Sequence, residues 1–199
     1  MSRLTAATPE QLHGDAAALY AAITGGPRAQ GPQHFALTGP DGSLNGPFNA
    51  FLLSPPLGTA LQEVGAAVRY RTGLSARVRE LAILVVAAHW NSAFEQHAHE
   101  AVGRAAGLHD DELVAIRERR PVSLADPAEA AAVAFCRALL DGDVDDAGWA
   151  SARAHLSETT LFELTTLVGY YATLALQLRV FRVDAPASDP SHPERTPTS

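Results

Sequence analysis

The chain concentrates acidic and imidazole side chains in one stretch, between Glu80 and Glu100. Within it, Glu95 and His99 stand four residues apart, so a helix would bring their side chains into contact. A carboxylate that holds one imidazole nitrogen raises the pKa of the histidine and leaves the other nitrogen able to move a proton. Glu80 lies inside an apolar run, where a bare carboxylate is too costly to bury. This set predicts acid–base chemistry, although pairing of Glu80 with a nearby arginine would be a purely structural outcome.

Ser92 and Glu95 also have a structural interpretation. A Ser followed three positions later by a Glu fits a capping box, in which each side chain accepts a hydrogen bond from the backbone N–H of the other residue. At about 100° per residue, Ser92, Glu95 and His99 fall within about 60° of one another on one helix face. The positive end of the same helix would suit an anionic substrate. Spacing alone therefore leaves a catalytic group and a helix cap as alternatives.

Two helices must position these residues, and they meet near Trp90 and Asn91. Apolar residues from Val78 to Ala88 lie almost all round the first helix, which predicts burial on most of its sides. The second helix is expected to end at Gly107, which can adopt a left-handed conformation. The catalytic candidates are thus predicted to lie on a helical hairpin.

The remaining chain also favours helices, because alternating runs of β-branched residues are absent and the class is therefore all-α. One domain is expected over residues 1–184. Residues 185–199 are rich in Pro and Ser and are expected to form a disordered tail. A long loop is predicted over 25–46. Further helices are predicted over 8–24, 47–53, 54–70, 110–119, 126–141, 146–156 and 157–183.

An internal echo links two parts of the chain. The pattern Glu-Leu-x-x-Leu-Val starts at Glu80 and again at Glu163. A duplicated helical hairpin would explain it, as would chance in a chain rich in Leu and Ala.

Composition excludes several functional classes. A net charge of −7 over 199 residues argues against nucleic acid or an anionic membrane as a partner. The 15 basic residues are all Arg, so Schiff-base chemistry through a lysine is excluded. A single cysteine suits a reducing cytoplasm, where we expect the protein to be located. We see no signal peptide and no 18-residue apolar run, so no membrane association is expected.

The stretch RVRELAILVVAAHWNSAFEQHAHEAVGRAAGL resembles the carboxymuconolactone decarboxylase family, which includes the alkylhydroperoxidase D-like proteins. The resemblance is specific over residues 46–108 and looser over 157–184. Members of the peroxidase branch carry Cys-x-x-Cys-x-x-x-His. Here Ser92 and Glu95 stand at the two cysteine positions, His99 at the histidine position, and Glu80 at the family's glutamate on the first helix. The decarboxylase branch likewise has a Glu four residues before the His.

The resemblance implies an alkylhydroperoxidase D-like helical fold and a cofactor-free lyase that needs no metal. Its substrate would be a small carboxylate or lactone, with Glu80, Ser92, Glu95 and His99 as catalytic residues. It also implies a homo-oligomer, which could be a dimer, trimer or hexamer. Candidate substrate contacts are Phe48, Asn49, Arg69, His89 and Tyr170, with Tyr171 as another possible source of a phenol. For the aromatic residues among them, simple packing is the alternative. For Arg69, the alternative is compensation of the helix dipole.

Three other functions remain open. A peroxidase or redox role is disfavoured, because the cysteine pair is missing and Cys136 lies in a different apolar helix. A metal enzyme would have to assemble Glu95, His99 and His89 as ligands. A non-catalytic oligomeric binding protein is the third alternative, and it would apply if Glu95 only caps its helix.

Overall fold

The computed structural model describes residues 2–30 and 36–183, and within these ranges the prediction of an all-α fold is confirmed. An isolated antiparallel bridge joins Thr38 to Leu44. None of the described helices is both long and apolar enough to cross a bilayer. The predicted disordered tail, residues 185–199, lies outside the described residues. After a 3₁₀ turn at Pro9–Gln11, the helices are α1 (Gly14–Gly25), α2 (Pro27–Gln30), α3 (Phe48–Phe51), α4 (Pro55–Tyr70), α5 (Ala76–Trp90), α6 (Ala93–Ala105), α7 (Asp110–Arg117), α8 (Pro127–Asp141), α9 (Asp146–Arg153) and α10 (Glu158–Phe181).

Helix α5 runs through the middle of the fold, as its apolar sequence predicts. Every residue from Glu80 to Ala88 is buried, and α6, α7, α8 and α10 pack around the helix. The helix begins where the Ser75 side chain accepts a hydrogen bond from the N–H of Val78. Its apolar side chains supply much of the main hydrophobic core. A polar side chain on α5 is consequently held in surroundings that contain little water.

The break between α5 and α6 lies where the sequence predicts it. Asn91 adopts a left-handed conformation with φ 50° and ψ 45°, which Asn tolerates better than most residues. The N–H of Ser92 then donates to the carbonyl of Ala87 at 2.9 Å. The guanidinium of Arg119 donates to the carbonyls of Ala88 and His89, which closes the end of α5. These contacts turn the chain so that α6 lies against α5.

Helix α10 is one continuous helix of 24 residues. The second stretch therefore does not form a helical hairpin, and of the two explanations for the echo, chance similarity agrees with the structure. The position equivalent to the break at Asn91 is Leu174, which is buried within α10. Glu163, the counterpart of Glu80, accepts hydrogen bonds from the N–H of Gly73. The echo thus places similar residues on two helices that have different roles.

The first predicted helix is shorter than expected. Thr8 forms a capping box with Gln11, but only a 3₁₀ turn follows it. Leu12 and His13 are extended, and Gly14 has a φ of +55°. This backbone separates the turn from α1, so the single helix predicted over 8–24 is two elements.

A network of charges ties the start of α5 to α7 and α8. The Arg77 guanidinium donates to Glu112 at 2.8 Å, to Glu129 at 2.8 and 2.9 Å, and to the carbonyl of Gly107. Both carboxylates are buried, and Arg77 holds the pKa of Glu112 below its ordinary value against the opposing effect of burial. The network therefore depends on one cation.

We expect Arg77→Met to lower the free energy of unfolding by about 1–3 kcal/mol, because two buried carboxylates would lose their cation. Denaturation in urea would measure this loss. The control is Arg120→Met, since Arg120 and its partner Glu118 are 55% and 54% exposed. That change should cost less than about 0.5 kcal/mol. Equal losses in the two variants would show that the Arg77 network contributes no special stability.

Candidate active site

The centre of the candidate site is a contact between α5 and α6. The Nδ1 atom of His99 lies 2.6 Å from Oε2 of Glu80. The Glu80 side chain is fully buried, and the His99 side chain is 5% exposed. A contact this short between two buried groups is a charge-assisted hydrogen bond. It fixes the orientation of the imidazole ring.

The other nitrogen of the same ring faces a second carboxylate. Nε2 of His99 lies 3.3 Å from Oε2 of Glu95, one turn earlier on α6. The contact predicted from the i, i+4 spacing is thus present. The imidazole lies between two carboxylates, one from each helix of the hairpin. This arrangement can hold a proton at either nitrogen.

The alternative in which Ser92 and Glu95 form a capping box is not what the structure shows. Ser92 occupies the cap position of α6, but its side chain makes no capping hydrogen bond. The N–H of Ser92 already donates to the carbonyl of Ala87, so it does not donate to the Glu95 carboxylate as a capping box requires. The Ser92 hydroxyl is buried and has no hydrogen-bond partner among the described protein atoms. Glu95 therefore faces His99 instead of closing the helix end.

Electrostatics favour a charged imidazole. Burial by itself lowers the pKa of His99, but the charge and hydrogen bond of Glu80, followed by those of Glu95, outweigh it and raise that pKa. Burial likewise raises the pKa of Glu80, yet His99, with Arg69 and Arg79 behind it, lowers the pKa overall. In this state the imidazolium donates from Nδ1 to Glu80 and from Nε2 towards Glu95.

Two arginines and a tyrosine surround the far side of this pair. The Arg69 guanidinium lies near the hydroxyl of Tyr171 and close enough to Glu80 to lower the pKa of that carboxyl. The Nε atom of Arg79 lies 3.6 Å from Glu80, which is an ion pair without a good hydrogen bond. The Tyr171 ring meets the His99 ring edge to face, with 5.3 Å between centroids. The pKa of Tyr171 is raised to about 12, chiefly by burial.

These contacts also show that Glu80 is not simply paired with a nearby arginine. Arg77 is occupied by Glu112 and Glu129, so it is not the partner of Glu80. Arg79 contributes its charge at longer range. The closest partner of Glu80 is the imidazole of His99, on the other helix.

A small cavity, the inner cavity, lies beside His99 and Glu95. Its volume is about 20 Å³, which is room for about one water molecule. Glu95 and His99 are the ionisable lining groups apart from two tyrosines, and the other walls are apolar or aromatic. The inner cavity is lined by Pro47, Phe48, Phe94, Glu95, Ala98, His99, Tyr170, Tyr171 and Leu174.

Of the five predicted substrate contacts, two lie at the inner cavity. Phe48 and Tyr170 line it. Tyr170 reaches its position because Gly65 has no side chain; a Cβ there would overlap the tyrosine hydroxyl. Arg69 lies behind Tyr171 and does not line the cavity.

Two of the predicted contacts lie elsewhere. The Asn49 amide accepts from the N–H of Ala7 and donates to the carbonyl of Thr5, so it holds the N-terminal segment. His89 is at the other end of α5 from Glu80 and lines a separate cleft with Arg119. The α5 helix keeps these two ends about 13 Å apart at 1.5 Å per residue. His89 therefore does not join the His99 cluster.

Sequence reasoning did not select Tyr171, Phe94 and Leu174 as site residues. Tyr171 was weighed beside Tyr170, and it is the one whose ring contacts His99. Phe94 directly precedes Glu95 in the sequence, and this adjacency is the signal that could have indicated its position at the cavity. Leu174 lies one turn beyond Tyr170 on α10, so helical spacing from the tyrosines could have indicated it.

The redox and metal alternatives gain no support from the described residues. Cys136 is buried on α8, away from the cavity lining, and burial raises the pKa of its thiol to about 12. In the described part of the chain, no three His, Cys, Asp or Glu side chains are grouped so that they could hold a metal ion. The ligand set proposed for a metal also needs His89, which lies in a different cleft.

Comparison with known proteins identifies a family that part of this chain resembles. Residues 55–138 match the model of the carboxymuconolactone decarboxylase family, which confirms the resemblance predicted from the sequence. No curated protein matches the chain. The matched region contains Glu80, Glu95 and His99, and it carries a single cysteine, as a cysteine-poor branch of the family would.

Solved structures confirm the alkylhydroperoxidase D-like helical fold. The debrominase Bmp8, with a cysteine changed to alanine and 2,3,4-tribromopyrrole bound, has a TM-score of 0.70 at 16% identity, covering 94% of this chain and 95% of that one. The same debrominase without ligand has a TM-score of 0.68 at 15% identity, covering 88% and 90%. A protein of unknown function from Agrobacterium tumefaciens, provisionally described as antioxidant defence protein AhpD, has a TM-score of 0.63 at 21% identity, covering 72% and 100%. At these identities the likeness concerns the fold.

The raised pKa of His99 gives a prediction for stability. In the unfolded chain the imidazole has its ordinary pKa of about 6.5. The extra stability from the folded imidazolium is therefore complete below that pH and is lost as the pH rises through the raised pKa. We expect the difference in unfolding free energy between wild type and His99→Gln to shrink as the pH rises above about 6.5. Urea denaturation at a series of pH values would measure it.

The control for this measurement is His97→Gln, because His97 is exposed on the same helix. Its difference from wild type should be small and should not follow the same pH dependence. If the His99→Gln difference were constant or grew with pH, the imidazole would not be the charged group described above.

Proposed function

We propose that the protein is a cofactor-free lyase of the carboxymuconolactone decarboxylase type, which acts on a small carboxylate or lactone by Glu/His acid–base catalysis. The supporting observation is the chain of contacts from Glu80 through His99 to Glu95, which ends at the inner cavity. A fold alone does not define a function, so the proposal rests on this geometry. The family match over residues 55–138 supports an enzymatic role, because the family is named after a decarboxylase.

Each member of the contact chain has a role in proton transfer. Glu80 keeps the imidazole in one orientation through Nδ1 and favours its protonated form. Glu95 and Nε2 of His99 are the two groups that face the cavity and could touch substrate. Because they lie 3.3 Å apart, a proton can move between them as well as to or from a bound molecule.

A carbon–carbon lyase needs these properties. When a carboxyl group leaves from a carbon next to a carbonyl, the electron pair of the broken bond passes to the carbonyl oxygen and forms an enolate. The His99 imidazolium would stabilise that negative charge and then deliver its proton to the carbon. After CO2 has left, a proton from water, passed by way of the Glu95 carboxylate, would restore the imidazolium. Low dielectric in the apolar cavity strengthens these electrostatic effects.

Arg69 has a different proposed role from the substrate contact expected from the sequence, whereas Ser92 keeps its proposed role. Arg69 acts through Tyr171 and Glu80, so we propose that it positions them instead of binding the substrate carboxylate. Ser92 begins the same helix as Glu95 and His99 and has a buried hydroxyl, which could donate to a substrate oxygen. It does not line the inner cavity in this structure.

Dehalogenation and peroxide reduction are alternatives suggested by the structural neighbours. The debrominase complex carries a substitution of a cysteine, and the Agrobacterium protein is described as an antioxidant protein. A thiol mechanism in this chain would have to use Cys136, which is buried outside the cavity lining and has a raised pKa. Proton transfer by Glu95 and His99 is the better-supported chemistry.

The homo-oligomer and the cytoplasmic location stay predictions. Large apolar side chains are exposed on α10 and at the start of α4, and burial between subunits would account for them. Those that are at least half exposed are Leu53, Leu57, Phe162 and Val180.

The proposed roles predict a large effect of two conservative substitutions. Glu95→Gln and His99→Gln should each lower turnover at least about 100-fold, because each removes a proton-transfer group. A panel of small lactone acids and β-keto acids in heavy water would be followed by NMR, which detects both loss of a carboxyl group and deuterium entering the adjacent carbon. This assay reports proton transfer at carbon even when no bond is broken.

The matched control is His97→Gln, which changes an exposed imidazole on the same helix and should leave turnover unchanged. Turnover that survives both Glu95→Gln and His99→Gln would show that the site described here is not catalytic. A non-catalytic binding protein is the conclusion if members of the panel bind but none exchanges or loses a carboxyl group.

A further inference from the structure

A second, larger cavity adjoins the inner cavity at the protein surface. We call it the outer cleft, and its volume is about 180 Å³. Exposed residues of the N-terminal segment form one of its walls. Among the described residues, the lining consists of Ser2, Leu4, Ala6, Ser43, Leu44, Asn45, Gly46, Asn49, Phe94 and Val183.

Phe94 is the one described residue that lines both cavities. It lies on the first turn of α6, next to Glu95, and is 4% exposed. The tip of its ring lies over Gly46, where an added Cβ would overlap the ring. Gly46 also has a φ of +63°, which favours glycine. The backbone is therefore shaped to bring the Phe94 ring between the outer cleft and the inner cavity.

The size of the inner cavity makes this position important. Room for one water molecule is too little for a lactone or keto acid. Rotation of the Phe94 side chain would join the cavity to the outer cleft and bring a molecule held there to Glu95 and His99. We propose that the outer cleft is where the substrate first binds, and that the Phe94 ring is the gate to the catalytic groups.

The lining of the outer cleft indicates what kind of molecule it takes. No Asp, Glu, Arg or His is found among the described lining residues. The polar side chains there are already bonded within the protein. Ser43 donates to Asp41, and Asn45 donates to the carbonyl of Ala36. Asn49 uses both ends of its amide to hold the N-terminal segment.

A cleft of this kind offers an anion little compensation for its lost hydration. It favours a compact ring, so the outer cleft selects the lactone form of a lactone acid over its ring-opened form, which carries one more carboxylate. This choice of substrate class rests on the proposed function, whereas the gate depends only on the geometry around Phe94.

The gate is tested without any ligand. In protein labelled with ¹⁵N at histidine, NMR would measure how fast the His99 ring N–H exchanges with water. We expect Phe94→Ala to speed this exchange about tenfold or more, because it joins the cavity to the surface. Phe94→Leu, which keeps an apolar side chain, should have a smaller effect in the same direction and serves if the alanine variant does not fold.

The control for the gate is Leu174→Ala. Leu174 lines the inner cavity but not the outer cleft, so its truncation enlarges the cavity without opening that route. Exchange in this variant should stay within a few-fold of wild type. If Leu174→Ala speeds exchange as much as Phe94→Ala, or if neither does, Phe94 is not the gate.

The ligand class is tested with butenolide, a neutral five-membered lactone, and the sodium salt of its ring-opened hydroxy acid. The lactone should shift the methyl resonances of Leu4, Leu44 and Val183 in wild-type protein and bind at least about tenfold tighter than the salt. Equal or tighter binding of the salt, or lactone shifts elsewhere, would overturn the assignment of the cleft. Binding in the cleft by lactone acids that never lose a carboxyl group or exchange a proton at carbon would refute the proposed function and leave the cleft assignment standing.

Discussion

The buried contact between Glu80 and His99 is the interaction on which the site depends. Neither group could keep a charge alone in the core of a helical fold, because the loss of hydration would be too costly. Together they supply each other's counter-charge at 2.6 Å, with Arg69 and Arg79 adding positive charge behind the carboxylate. The contact joins α5 to α6 and leaves Nε2 directed towards Glu95. The geometry of the candidate site and the packing of the two helices are thus consequences of the same hydrogen bond.

The role of Glu95 is decided by the way in which α5 ends. The left-handed Asn91 brings the N–H of Ser92 to the carbonyl of Ala87, which removes one of the two hydrogen bonds of a capping box. Glu95 is then free to meet His99. A local sequence pattern cannot decide between these outcomes, because the competing acceptor belongs to the preceding helix. Burial of both side chains makes the contact with His99 more favourable than it would be at the surface.

Local patterns predicted most of the fold and half of the site. The break at Asn91, the end of α8 at Gly142 and the start of α10 at Ser157 all follow from capping chemistry. The approach of Glu95 to His99 follows from helical spacing. The packing of helices that are distant in sequence decides the rest: the partner of Glu80, the position of Tyr171 and the absence of His89 from the site. Nothing in a periodic pattern fixes which faces of α5, α6 and α10 meet.

Ser92 and Glu95 stand where the peroxidase branch of the family that the chain resembles carries two cysteines, and this difference limits the chemistry open to the site. Two thiols can exchange electrons, whereas a carboxylate beside an imidazole can exchange only protons. Burial in apolar surroundings disfavours the charged form of His99, and Glu80 opposes this effect by holding the imidazolium. Negative charge that develops on a bound molecule next to Nε2 would act in the same direction as Glu80. Such a site responds to an enolate more strongly than to its neutral precursor, which is the property that acid–base catalysis at carbon requires.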